Sequence, residues 1–170
     1  MVEPVRVYLG LGSNQDRPLE QLARAVRELE KVVAIDTVSS VYLTEPVGFS
    51  DQPDFMNVVV SGTTVCSPEA LLDEAQRVEE HMGRVRTFRN APRVIDVDVL
   101  AFGEIVAESP RLTLPHPGVA TRGFVLHPLA EIAPGWRHPV TGETPRELLA
   151  RAGGTERVER VGALPPYDAR

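Results

Sequence analysis

The sequence predicts an α+β protein with the element order β-α-β-β-α-β and irregular and helical additions after it. Extended, β-branched segments recur between turn residues, and two stretches with apolar residues at helical spacing fall after the first and third of them. No internal repeat or low-complexity block competes with that reading. The chain has 170 residues, 42% apolar and 25% charged, which suits one globular domain with a proper core.

The first strand is expected over 5–11, between Pro4 and the turn residues Gly12-Ser13-Asn14. A helix should follow, with Pro18 in its first turn and Leu19, Leu22, Val26 and Leu29 along one face. Residues 32–42 read as a second strand, broken by Thr44-Glu45-Pro46, and 47–54 as a loop rich in Gly, Pro, Ser and Asp. Residues 55–65 give a third strand, the natural partner of the second. Ser67, Pro68 and Glu69 suit the cap, first turn and dipole charge of a second helix. Its apolar face is Leu71, Leu72, Ala75, Val78 and Met82, and it ends at Gly83.

Residues 84–93 are irregular and basic, and 94–102 (VIDVDVLAF) form the clearest strand. Short helices are expected near 119–132 and 145–150, and the polar tail from Gly153 to Arg170 is expected to be poorly ordered. The order is the ferredoxin-like pattern, an antiparallel sheet with both helices on one face. The whole of 1–170 reads as a single domain, its core about 5–140.

Composition excludes several classes. The net charge of −6 argues against a general nucleic-acid or membrane-surface binder, and Cys66 alone makes neither an internal disulfide nor a zinc cage. No apolar run is long enough to span a bilayer, and the N-terminus has no secretory pattern. The expectation is a soluble, cytoplasmic protein.

Asp96 and Asp98 stand at i and i+2 in an apolar strand, on one face and about 6–7 Å apart. Their mutual repulsion suits a divalent cation such as Mg²⁺; the alternative is a solvated face with each Asp paired to an Arg. Arg84, Arg86, Arg89 and Arg93 lie directly upstream, either a polyphosphate clamp or a set of surface ion pairs. Acidic strand and cationic loop together are what phosphoryl transfer needs. Gly10 and Gly12 lack the Walker ending and read as a tight strand-to-loop turn. Phe55 and Asn57 share a strand face and could stack on a flat heterocycle and read its edge, or be core. Phe124 is a second candidate ring. His116, between Pro115 and Pro117, suits a positioned ligand contact or a surface role. His81, His127, His138, Trp136 and Cys66 read as structural or inert.

Taken together, residues 8–14, 44–57, 83–86, 92–100, 112–117 and 122–129 resemble, in order, the 6-hydroxymethyl-7,8-dihydropterin pyrophosphokinase family. The likeness runs from about Tyr8 to Pro139. It implies Mg²⁺-dependent transfer of pyrophosphate from ATP to the hydroxymethyl oxygen of the pterin, releasing AMP, in folate biosynthesis. By that resemblance Asp96 and Asp98 hold two Mg²⁺ ions, and Arg84 and Arg93 join them as catalytic residues. Gln76, Glu79, Arg84, Arg86, Arg93, His116 and Arg122 bind ATP. Phe55 and Phe124 sandwich the pterin, while Asn57 and the backbone around Thr44 and Val47 read its edge. The expected partners are those two substrates, for a monomer with no nucleic acid or membrane.

This sequence departs from the family pattern in three places. The 87–91 segment is one residue shorter and lacks a tryptophan, Pro117 stands where a tyrosine often follows the histidine, and Phe55 replaces a frequent tyrosine. An RNA-reading module is the alternative of another class, but the RNP1 pattern is missing. A lapsed family member is a third.

Overall fold

In the computed structural model, residues 2–46, 51–83, 94–152 and 157–167 are described. Their elements run β1 (Val5–Ser13), α1 (Pro18–Leu29), β2 (Ala34–Val38), β3 (Ser40–Thr44), β4 (Phe55–Thr64), α2 (Pro68–His81) and β5 (Asp96–Phe102). After them come the short β6 (Ala107–Glu108) and β7 (Thr113–Leu114), a 3₁₀ turn (Pro117–Ala120), α3 (Gly123–Ile132), α4 (Pro145–Ala152) and β8 (Val158–Ala163).

The main sheet has the order β5-β1-β4-β3-β8, with β2 also paired to β4, and every pairing is antiparallel. With β2 and β3 counted as one broken strand, this is the ferredoxin-like arrangement that the element order predicts. Val7, Leu9 and Leu11 of β1, Val58 and Val60 of β4 and Val97 and Val99 of β5 point to one face. There they pack with Leu22 and Leu29 of α1 and Leu71 and Val78 of α2. Burying each such side chain is worth about 1.5–3 kcal/mol. The other face carries Val59, Leu100, Val125 and Leu129, with Tyr8 and Trp136 packed against them, so α3 covers it. The C-terminal additions thus close a second layer over the sheet.

Four expectations are corrected. The second strand is not continuous over 32–42: it breaks at Ser39, whose hydroxyl accepts from Val59 N at 2.9 Å, and the pairing with β4 slips by one residue. The helix expected over 119–132 is a 3₁₀ turn followed by α3, because the chain bends at Thr121-Arg122. The tail is ordered over Val158–Ala163, where β8 covers the edge of β3, with a bulge opposite Val41/Tyr42 and Gly162 at φ +133°. A polar, half-exposed edge strand has no apolar alternation to reveal it. Finally, Gly10 and Gly12 lie inside β1, not in a turn. Trp136 does pack, edge-on to Tyr8 at 6.1 Å.

Candidate active site

Alternation along three neighbouring strands places the site on the α3 side of the sheet, at one end. Gly12 sits between Asn57 of β4 and Asp96 of β5, and Gly10 between Val59 and Asp98. The two glycines form a floor: a Cβ on Gly12 would lie 2.9 Å from Asn57 Oδ1 and 3.8 Å from the Phe55 ring. Their side-chain-free surface leaves a cleft of about 380 Å³. Glycines at i and i+2 of a strand, on the face shared with paired carboxylates, are the signal that a turn reading overlooks.

Ten of the residues singled out above line this one cleft: Thr44, Phe55, Asn57, Gln76, Glu79, Asp96, Asp98, His116, Arg122 and Phe124. Arg84, Arg86, Arg89, Arg93 and Val47 lie outside the described residues. A second hollow of about 250 Å³ continues past Asp98 and His116, lined also by Leu72, Val99, Arg111, Leu112 and Thr113. Of these, Arg111 gave no sequence signal. It reaches back to α2, donating to Asp73 Oδ1 at 2.6 Å and Gln76 Oε1 at 3.3 Å.

The carboxylate pair stands on the edge strand. Between the two, the Val97 N–H donates to Glu79 Oε2 at 2.9 Å. Glu79 is 5% exposed, so α2 fixes the strand at the point where both aspartates are displayed. Asp98 is half-exposed, and His116 Nε2 lies 4.0 Å from its Oδ1. His116 Nδ1 accepts from Gly118 N at 2.9 Å, which leaves the neutral ring's proton on Nε2, facing Asp98. Burial, with the charge of Arg122, pushes the imidazole below its ordinary range against the pull of Asp98. Gly118 also makes room for the Arg122 side chain, whose Cδ would lie 2.8 Å from a Cβ there. The Arg122 guanidinium lies over the Phe124 ring, 5.7 Å from its centre.

At the other end, Asn57 donates through Nδ2 to Thr44 Oγ1 at 2.8 Å and to Tyr42 O at 3.4 Å. Its donors are thereby used inside the protein, and Oδ1 is the atom left over the glycine floor. The wall offers a ligand an amide acceptor beside the Phe55 ring.

Among the described residues, no three metal-binding side chains cluster. Two carboxylates lining the cleft suit a hard divalent cation such as Mg²⁺, which takes oxygen ligands. The residues present fit that ion.

Fold and cleft together define a ferredoxin-like α+β protein whose cleft has an aromatic and amide wall at one end and a pair of carboxylates at the other. The family model for 7,8-dihydro-6-hydroxymethylpterin-pyrophosphokinase (HPPK) matches residues 8–134. The 2-amino-4-hydroxy-6-hydroxymethyldihydropteridine pyrophosphokinase of Pseudomonas aeruginosa is 43% identical over 92% of this chain and 96% of its own. That of Methylorubrum extorquens is 46% identical over 91% and 99%. Among solved structures, Plasmodium falciparum HPPK-DHPS superposes with a TM-score of 0.69 at 18% identity, over 89% of this chain. The chain spans only 45% of that longer one, so this likeness speaks for the fold alone.

The chain belongs to the 7,8-dihydro-6-hydroxymethylpterin-pyrophosphokinase family. Its reaction is the transfer of a pyrophosphoryl group from ATP to hydroxymethyldihydropterin in folate biosynthesis.

Proposed function

We propose that this transfer takes place in the cleft between Asp96/Asp98 and Asn57, with Mg²⁺ required and two ions held by the aspartates. The observation that carries the reading is the convergence of ten residues, from three strands, two helices and the residues flanking the 3₁₀ turn, on one cavity. Asp96 and Asp98 would hold the metal, which would supply neutralisation of the triphosphate and polarisation of its β-phosphorus.

The chain's own residues do the rest. Phe55 and Phe124 take the faces of the pterin, and Asn57 Oδ1 accepts from its amide-like edge, with Thr44 alongside; Val47, outside the described residues, is assigned to the same edge by the family resemblance alone. The triphosphate runs past Asp96 and Asp98 toward His116 and Arg122, whose Nε2–H and guanidinium donate to its oxygens. Gln76 takes the nucleoside side, next to Arg111 of the second hollow, which gives room for a base and sugar. Glu79 acts there by holding Val97. Arg84, Arg86 and Arg93 supply the remaining positive charge.

The substrate hydroxyl attacks the β-phosphorus, the bond to the α-phosphate oxygen breaks, and AMP leaves. No protein nucleophile is needed; alignment, charge neutralisation and exclusion of water do the work. The enzyme is proposed to be a cytoplasmic monomer, with 1–170 as one domain built on a core of about 5–140. Among the described residues no helix is long and apolar enough to cross a membrane.

Asn57→Ala and Phe55→Ala should each weaken pterin binding by about tenfold or more in a fluorescence titration and leave ATP binding within about twofold. Equal losses for both ligands would overturn the assignment of the two ends.

A further inference from the structure

A carboxylate outside the cleft ties its two walls together. Phe124 and Glu131 stand seven residues apart on α3, two turns and so on the same face of the helix. Phe124 lines the cleft. Glu131 instead holds the start of β3: its carboxylate accepts from Ser40 N at 3.0 Å, Ser40 Oγ at 2.8 Å and Tyr42 OH at 2.8 Å. Arg160 of β8 adds a bond from Nε to Ser40 Oγ at 2.9 Å. His127, one turn before Glu131, stacks on Tyr42 with ring centres 6.4 Å apart.

The place held is the register slip between β2 and β3. Val38 pairs with Val60, but Tyr42 pairs with Asn57, so one residue is accommodated at Ser39-Ser40. Because side chains alternate, a one-residue slip decides which face every later side chain takes. Here it sends Tyr42 and Thr44 to the α3 side, where Thr44 Oγ1 and Tyr42 O receive the Asn57 amide.

We propose that Glu131 is a positioning residue for pterin recognition, locking the Ser40–Tyr42 slip so that the Thr44–Asn57 wall stands at a fixed distance from Phe124. It touches neither substrate, and the inference rests on the pterin site assigned above.

The test is steady-state kinetics for both substrates on Glu131→Ala, Glu131→Gln, Thr44→Val and the Glu131→Ala/Thr44→Val double variant. Leu148→Ala, a fully buried position on α4, serves as a control for destabilisation alone. The Glu131→Ala variant should raise KM for the pterin about tenfold, with kcat and KM for ATP within about twofold. Glu131→Gln keeps an acceptor oxygen and should recover most of that loss. In the double variant, Glu131→Ala should add under about twofold to Thr44→Val, as expected for residues acting through one element. An unchanged pterin KM in Glu131→Ala, equal rises for both substrates, or the same pattern in Leu148→Ala would overturn the proposal while Thr44→Val still weakens pterin. No effect of Thr44→Val would overturn the pterin-site reading and this proposal together.

Discussion

A methyl group placed on the cleft floor discriminates this site from any other arrangement of the same residues. In Gly12→Ala the new Cβ would lie 2.9 Å from Asn57 Oδ1, where ordinary contact begins near 3.4 Å. Gly12 has no positive φ, so the backbone accepts the change and the side chain must yield. Asn57 is 6% exposed and pinned through Nδ2 to Thr44 and Tyr42, so moving its oxygen means loosening those bonds. One internal hydrogen bond, together with misdirection of the acceptor offered to the pterin, amounts to about 1–2 kcal/mol, or roughly 5- to 30-fold in KM for the pterin. Replacing a strand glycine also returns about 0.5–1 kcal/mol of backbone entropy, so the melting temperature should stay within a few degrees.

Gly10→Ala is the matched comparison. Its Cβ meets the Leu100 side chain, at 3.3 Å and beyond, so a shift of a few tenths of an ångström in that apolar group relieves the contact without breaking a hydrogen bond. That variant should change the pterin KM by less than about threefold. Steady-state AMP release with each substrate varied, beside thermal melts, reads both. A Gly12→Ala enzyme with wild-type pterin KM, or a Gly10→Ala enzyme that is the worse of the two, would refute the floor geometry.

Gly62→Ala should damage folding instead of binding, because its Cβ would run into the Ala34 backbone oxygen on β2. Overpacking against backbone costs about 1–3 kcal/mol or more, so the melting temperature should fall by roughly 5–10 °C, with KM values unchanged in whatever folds. Tyr42, buried and bonded to Glu131, has its phenol pushed up to about 12. The raised value means that its contribution is complete below the ordinary pKa near 10 and is lost as pH climbs toward 12. Wild type should therefore lose stability between pH 10 and 12 in alkaline denaturant titrations. Tyr42→Phe should flatten that stretch of the profile. At the acid end, Glu131 loses some solvation, but the hydrogen bonds from Tyr42 and Ser40 outweigh it and hold its carboxyl below the usual range. Its contribution should be present above pH about 4.5 and disappear as pH falls further, a loss absent from Glu131→Gln.

What the sequence made legible was local. The VIDVDVLAF alternation placed β5 and its aspartates, and the Ser67-Pro68 cap placed α2. Asn57 and Phe55 followed from strand period. The rest depends on contacts between distant segments. Glu131 reaches Ser40 across 91 residues, and β8 joins β3 from the far end of the chain. Neither leaves a periodic trace. The glycines of β1 misled for a related reason: Gly-x-Gly is turn-like in composition, and only the neighbouring strands show that it keeps a cleft open.

Asp96 and Asp98 are proposed to make this cleft a metal-dependent pyrophosphoryl-transfer site. The most direct measurement is nucleotide product analysis with ATP, pterin and Mg²⁺ for wild type, Asp96→Asn and Asp98→Asn, with and without chelator. AMP should form only with pterin and metal together, and fall at least about 100-fold in each variant while folding is retained. ADP as product, AMP that survives chelation, or full turnover in either variant would contradict it.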